Sequence, residues 1–277
     1  MSIVKEGKIY ICERTSAHII CQQEIVSEEY KELNQPKFEI YKWFIDRELQ
    51  EYEKSDIILV PSLFVKRSFE KYYTKKVHVI NLGVNLKNYF PINTINKDNK
   101  FFNILFIGSL SIRKGLHYLI EAFKKFKHPK KRLHIVGVNY SDKNFFSNQL
   151  KDDNIFVYGH VEHYKLIEII NKSDVFVLPS LEDGFGIVVL QVLAAGCPVI
   201  VSENTGAADV IREHKCGFVV PIRNSQIIAD KLTLLSDDRL LLKEFSNNAL
   251  KISSKYSWDD YVNKLDQLVT QFKKNRS

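Results

Sequence analysis

Hydrophobic residues in this chain gather into short, near-continuous runs, separated by stretches in which apolar positions recur at helical spacing. Runs at residues 8–12 (KIYIC), 56–61 (DIILVP) and 77–80 (VHVI) predict three strands near the start. Runs at 101–108 (FFNILFIG), 132–137 (RLHIVG), 154–159 (NIFVYG), 174–180 (DVFVLPS) and 197–202 (CPVIVS), then GFVVP, predict a longer series. Four to six successive Val, Ile, Leu and Phe residues suit parallel strands that are covered by helices on both faces. Helical spacing begins after Ser16 and recurs over 38–54, 63–72, 116–126, 164–171 and 187–195. It closes the chain over 225–235, 239–253 and 258–272. Strand and helix signals that alternate in this way define an α/β chain.

The pattern breaks once, over NLGVNLKNYFPINTINKDNK, which is rich in Asn and lacks periodicity. This reads as a crossing between two units. The expected organisation is a partial Rossmann-like domain over 1–82, a linker over 83–100, a complete Rossmann-like domain over 101–256 and a closing helix over 257–277. Three strands are few for a parallel sheet. An open edge in the first unit would leave backbone groups and apolar side chains without cover.

Composition narrows the class. With 277 residues and 45% hydrophobic content, the chain can bury a core without staples. Its 40 Lys and Arg against 33 Asp and Glu give a net charge of +7. The basic clusters, such as Lys124, Lys125, Lys127 and Lys130, read as solvated faces, and no nucleic-acid recognition motif accompanies them. Nucleic acid is therefore not an expected partner. Four cysteines without a CxxC pair predict neither a disulfide framework nor a zinc site. His160 and His163 lack the further ligands a metal needs, so no metal is expected. The opening MSIVKEGKIY lacks a signal-peptide core and no apolar run is long enough to span a bilayer, which makes a cytoplasmic protein the expectation. Neither GxGxxG nor GxxxxGK[ST] is present.

Three loops leave strand ends, where open parallel sheets bind ligands. In GSLSIRKG, Gly108 and Ser109 leave the strand while Arg113 and Lys114 stand before a helix start, an arrangement suited to a diphosphate. A basic surface turn is the plain alternative. In PSLEDGFGIVVLQ, Gly184 and Gly186 permit close backbone approach around Phe185. Glu182 and Asp183 offer carboxylates to sugar hydroxyls, and Gln191 offers an amide. Helix capping and a solvent-facing position are the alternatives for Asp183 and Gln191. In SENTGAAD, Thr205 and Gly206 precede a short helix whose amides could approach a second polar group.

FIGSLSIRKGLHYLIEA (residues 106–122) and LPSLEDGFGIVVLQVLAAGCPVIV (178–201) together resemble the retaining glycosyltransferases of family 4, of GT-B architecture. NLGVNLKNYFP resembles that family's interdomain crossing, and SDIILVPS the strand and turn before it. The resemblance implies a nucleotide-sugar donor on the second domain, an acceptor on the first, and no cofactor or metal. It places Lys114 on the donor diphosphate. The family's companion arginine falls at Ser109, and Arg113 is read as supplying that charge from another position. The family's paired glutamates fall on Asp183, near the transferred sugar, and on Gln191, at the ribose. Gly184, Phe185, Gly186, Thr205 and Gly206 fall in the donor loops. His18 is assigned to the acceptor side, with packing or capping as its alternative. The resemblance thus implies sugar transfer from an NDP-sugar to a glycan or lipid-linked acceptor in polysaccharide or lipopolysaccharide synthesis, and the basic surface leaves peripheral contact at the inner membrane face open. The front of the family's N-terminal domain is not matched. A subunit that binds NDP-sugar without turnover, completed by a separate N-terminal polypeptide, is the alternative.

Overall fold

The computed structural model describes residues 8–72, 77–85, 88–92, 94, 100–138, 142–253 and 255–275. The first seven residues and much of the 83–100 linker lie outside the described residues. Among the described residues there are two parallel sheets. β1 (Ile11–Glu13), β2 (Ile57–Val60) and β3 (Val77–Val79) pair in that order, with Cys12 opposite Ile58 and Ile58 opposite Val77. Six strands form the larger sheet: β4 (Phe102–Ile107), β5 (Lys131–Val136), β6 (Ile155–Gly159), β7 (Val175–Leu178), β8 (Val199–Ser202) and β9 (Gly217–Val220). Their spatial order is β6-β5-β4-β7-β8-β9. The order reverses between β4 and β7, which is where open parallel sheets place their ligands, at the strands' carboxyl ends.

Helices cover both sheets. α1 (Ile19–Glu32), α2 (Lys42–Lys54) and α3 (Leu63–Glu70) belong to the smaller one. α4 (Leu116–Lys125), α5 (Lys143–Phe146), α6 (His163–Lys172), α7 (Ile187–Ala194), α8 (Ala208–His214), α9 (Ser225–Asp237) and α10 (Arg239–Ser253) accompany the larger. The all-buried strands β2, β7 and β8 explain the unbroken apolar runs. α2 starts four residues later than its apolar spacing predicts. Residues 38–41 stay extended because α1 binds their backbone: Ser27 Oγ donates to the Phe38 carbonyl (2.9 Å) and the Ile40 amide donates to Gln23 Oε1 (3.0 Å). The short α5 carries no clear sequence signal.

The chain crosses between the sheets twice, side by side. The Val84 amide donates to the Tyr256 carbonyl at 2.8 Å. Ser257 and Asp260 then form a capping box that starts α11 (Trp258–Lys274). From α11, the Tyr261 hydroxyl donates to Glu13 Oε1 of β1 at 2.8 Å.

A buried polar junction fixes α1 against the larger unit. Glu29 is fully buried and accepts from His117 Nε2 (2.9 Å), Tyr118 OH (2.7 Å) and Arg223 Nε (2.6 Å). Burial alone would raise its carboxyl, but these three donors hold it down at about 2. Beside it, Tyr30 OH donates to Asp142 Oδ1 (2.7 Å), while Asp142 Oδ2 accepts from the Ile112 amide (2.9 Å). The turn that carries Arg113 and Lys114 is thereby tied to α1.

Candidate active site

The loops leaving β4 and β7 meet. After β4 the chain passes through Gly108 and Ser109 into a 3-10 turn, Ile112–Lys114, which ends at Gly115. Gly115 has φ +67°, and a Cβ there would lie 1.9 Å from the Pro179 carbonyl oxygen, so only glycine allows this approach. The Leu181 amide donates to the Arg113 carbonyl at 2.9 Å, which locks the two loops together.

Consecutive residues of one loop then pair with consecutive residues of the other. Lys114 Nζ bonds Asp183 Oδ2, with both side chains mostly shielded from water. Arg113 NH1 donates to the carbonyl oxygen of Glu182 (3.1 Å) and to its Oε2 (3.2 Å). The backbone of Asp183 is itself held by the β8–α8 loop: its amide donates to the Asn204 carbonyl (3.0 Å) and its carbonyl accepts from Gly206 (2.8 Å). Thr205 is buried, its hydroxyl within hydrogen-bonding distance of Ser202 Oγ at 3.0 Å. Gly186, at φ +71°, opens α7, which carries the half-buried Gln191. The Phe185 side chain is buried in the core of the larger unit, so only its backbone can face a ligand.

Glu182 and Gly184 face the smaller unit. The fully buried Glu182 carboxylate accepts from the Ala17 amide (2.9 Å) and Gln22 Nε2 (2.8 Å) as well as from Arg113. Gln22 Oε1 in turn accepts from Arg14 (3.0 Å), which is paired with Glu48 at 2.8 Å. Ser62 Oγ donates to the Gly184 carbonyl at 2.7 Å, and a Cβ on Gly184 would lie 1.8 Å from the Thr15 carbonyl oxygen. Glu182 is thus an interdomain strut and not a free carboxylate beside Asp183.

The His18 side chain packs inside the smaller unit. It is sealed among Tyr72, Phe69 and Tyr52, with ring centroids 4.9–5.2 Å away, and Nδ1 caps α1 by accepting from the Ile20 amide (3.3 Å). Burial, with Arg14 nearby, pushes the imidazole down to about 4. The capping role, foreseen as the alternative, is what the geometry displays.

Sequence reasoning passed over Gln22 and Glu29. Their signal was positional: Ile19, Gln22, Val26 and Glu29 share one helical face, so two polar residues stand in a stripe that is otherwise buried. Among the described residues, no group of three or more His, Cys, Asp or Glu side chains is placed to hold a metal ion, and no helix is long and apolar enough to cross a membrane.

Two Rossmann-like sheets flanking a cleft, with the converging loops on the larger one, define a GT-B fold. The chain belongs to the family described as glycosyl transferases group 1, whose model matches residues 88–252. It is similar to the uncharacterized glycosyltransferase MJ1607 of Methanocaldococcus jannaschii, at 30% identity over 76% of this chain and 59% of that protein. It is also similar to the capsular polysaccharide biosynthesis glycosyltransferase CapM of Staphylococcus aureus, at 24% identity over 86% of this chain and 67% of that one. Among solved structures, Anabaena Alr3699/HepE in complex with UDP-glucose superposes with a TM-score of 0.76 at 16% identity, covering 95% of this chain and 72% of that one. The chain spans 59% of the length of its Methanocaldococcus relative.

Proposed function

We propose that the protein is a retaining glycosyltransferase of family 4 that moves a sugar from an NDP-sugar to a hydroxyl of a glycan or lipid-linked acceptor in polysaccharide or lipopolysaccharide synthesis. The observation that carries this reading is the Lys114–Asp183 pair, which sets an anion-binding group beside a hydroxyl-binding group where two parallel strands end. Similarity to a capsular polysaccharide glycosyltransferase and to the fold of a UDP-glucose complex supports the donor and product classes.

In this reading Lys114 releases Asp183 to meet the donor diphosphate and stabilises the charge that grows as the diphosphate departs. Asp183 turns to the hydroxyls of the sugar. Arg113 is the second cation of the site. Backbone groups around Gly108, Ser109, Gly184–Gly186 and Thr205–Gly206 approach the donor, and Gln191 binds the ribose as both donor and acceptor. The bond from the anomeric carbon to the diphosphate oxygen breaks, the acceptor oxygen bonds on the same face, and its proton passes to the departing phosphate. The cleft between the sheets aligns the two substrates and excludes water. The reading includes a cytoplasmic location with contact at the inner membrane face. The three-stranded first sheet favours one rival, donor binding without turnover.

The test pairs calorimetry with UDP and GDP against a turnover assay over a panel of NDP-sugars. Lys114→Ala is expected to lower turnover by roughly 10²–10³-fold. Wild-type turnover in that variant refutes the assignment, and nucleotide binding with no product from the unmodified protein selects the rival.

A further inference from the structure

The two neighbouring cations of the turn after β4 are held in different ways. Lys114 meets an aspartate of its own unit, whereas Arg113 meets a glutamate that the other unit grips. The fully buried Glu182 carboxylate divides its oxygens between partners. Oε1 accepts from the Ala17 amide at 2.9 Å, while Oε2 accepts from both Gln22 Nε2 (2.8 Å) and Arg113 NH1 (3.2 Å). Gln22 and Arg113 therefore converge on one oxygen atom from opposite units.

Gln22 suits that position because its side chain ends in both a donor and an acceptor. Its Oε1 accepts from Arg14 at 3.0 Å, which turns its amino group toward Glu182. Arg14 is fixed in turn by Glu48 (2.8 Å) and by the Ala17 carbonyl (3.2 Å). A chain Glu48–Arg14–Gln22–Glu182–Arg113 thus runs from α2 to the turn after β4. A carboxylate at position 22 would face Glu182 with like charge, and an ammonium would face Arg14. The neutral amide serves both neighbours.

The consequence falls on Arg113. Among the described residues its side chain bonds through NH1 alone, to Oε2 and the carbonyl oxygen of Glu182, so Nε and the second terminal nitrogen keep their donors. Arg113 is 32% exposed and lines a cavity in the cleft together with Gln22, Ser109 and Ser111. A planar guanidinium anchored by one arm presents its other arm in a fixed direction. While Gln22 shares Oε2, the charge of that oxygen is spread over two donors. Without Gln22, Arg113 is the one side-chain donor on that buried oxygen, and leaving a buried acceptor unpaired is costly. Arg113 is then drawn onto Glu182 and away from the cleft.

We propose that Gln22 is a positioning residue for the donor site. By sharing Glu182 Oε2 with Arg113, it holds the free arm of that guanidinium toward the donor diphosphate. The proposal rests on the transferase reading and deepens it, because it makes the grip on the donor depend on α1 of the opposite unit.

The test is calorimetry with UDP and GDP on the full chain carrying Gln22→Met, Arg113→Gln or both, read on whichever nucleotide the parent binds. Methionine keeps the length of the side chain, Arg14 keeps Glu48 and Glu182 keeps Ala17, so no charge is stranded and the melting curve should show a folded protein. Gln22→Met should weaken nucleotide binding at least five-fold and Arg113→Gln at least ten-fold. The double variant should match Arg113→Gln within two-fold, because a residue that acts through Arg113 then has nothing to act on. Gln22→Ala, which admits water beside Arg14 and Glu182, should give the same cycle. Parent-like affinity in both Gln22 variants overturns the proposal. Losses that multiply in the double variant also overturn it, since a general loosening of the cleft is felt with or without Arg113. Parent-like affinity in Arg113→Gln removes the role of Gln22 and spares that of Lys114, whereas a parent that binds neither nucleotide removes the transferase reading itself.

Discussion

Replacing Glu29 with alanine tests the junction between the two units. The substitution leaves His117 buried with no partner for either ring nitrogen, because Nδ1 already lacks one among the described residues. It also strands the Tyr118 hydroxyl. Breaking a buried pair by removing one partner costs about 3–5 kcal/mol. Arg223 keeps Glu28 at 2.7 Å and is partly exposed, which places the cost at the lower end. A second route gives a similar figure: a carboxyl held at about 2 instead of 4.5 corresponds to about 3 kcal/mol. Guanidinium unfolding at pH 7, followed by circular dichroism, should therefore show Glu29→Ala about 3 kcal/mol less stable than the parent. Because the folded carboxyl titrates below its unfolded value, this contribution is fully present above pH 4.5 and fades as the pH falls toward 2. The variant should lack that acid-range slope. A loss under about 1 kcal/mol, or an unchanged slope, would mean that Glu29 does not clamp α1 to the larger unit.

Other outcomes follow from the same geometry. His18 titrates at about 4 in the fold and at 6.5 when free, so its contribution of about 3 kcal/mol is complete above pH 6.5 and is lost as the pH falls toward 4. Burial also pushes His134 down to about 4, so the stability curve of His18→Gln should lose about one proton's worth of slope between pH 6.5 and 4.5 and keep the part that His134 supplies; an undiminished slope there would acquit His18. Gly115→Ala adds a Cβ 1.9 Å from the Pro179 carbonyl at φ +67°. The backbone alone costs roughly 1–2 kcal/mol, so the melting temperature should drop, and an unshifted melt would show that the loops do not need this contact. Gly184→Ala should separate the loop from Thr15, where its Cβ would sit 1.8 Å from the carbonyl oxygen. Faster amide exchange around residues 15–17 is expected, and unchanged exchange would contradict it.

The larger sheet was legible because burial on both faces removes alternation and leaves plain apolar runs such as VFVL and VIVS. The loops at its strand ends were legible for a related reason: glycines and charges there interrupt otherwise apolar sequence. The start of α2 was not. Phe38 and Ile40 carry helix-compatible spacing, but side chains of α1 capture their backbone, a tertiary effect that no local window contains. The strut role of Glu182 was not legible, because its partners, Ala17 and Gln22, lie 165 and 160 residues away. The Glu29 junction joins residues 88, 89 and 194 positions apart. Its one local trace was an acidic residue on the buried face of α1.

The pairing of Lys114 with Asp183 has a consequence for selectivity. Each charge already has its counter-ion, so a bare phosphate arriving from solution must evict a carboxylate to gain a lysine and leaves that carboxylate stranded. A nucleotide-sugar brings an anion for one member and hydroxyls for the other, and the exchange closes without an orphan. In the proposed reading the pair acts as a two-key lock: it disfavours the abundant small anions of a cell, holds a nucleoside diphosphate without its sugar more weakly, and favours a molecule that carries both features at the right spacing.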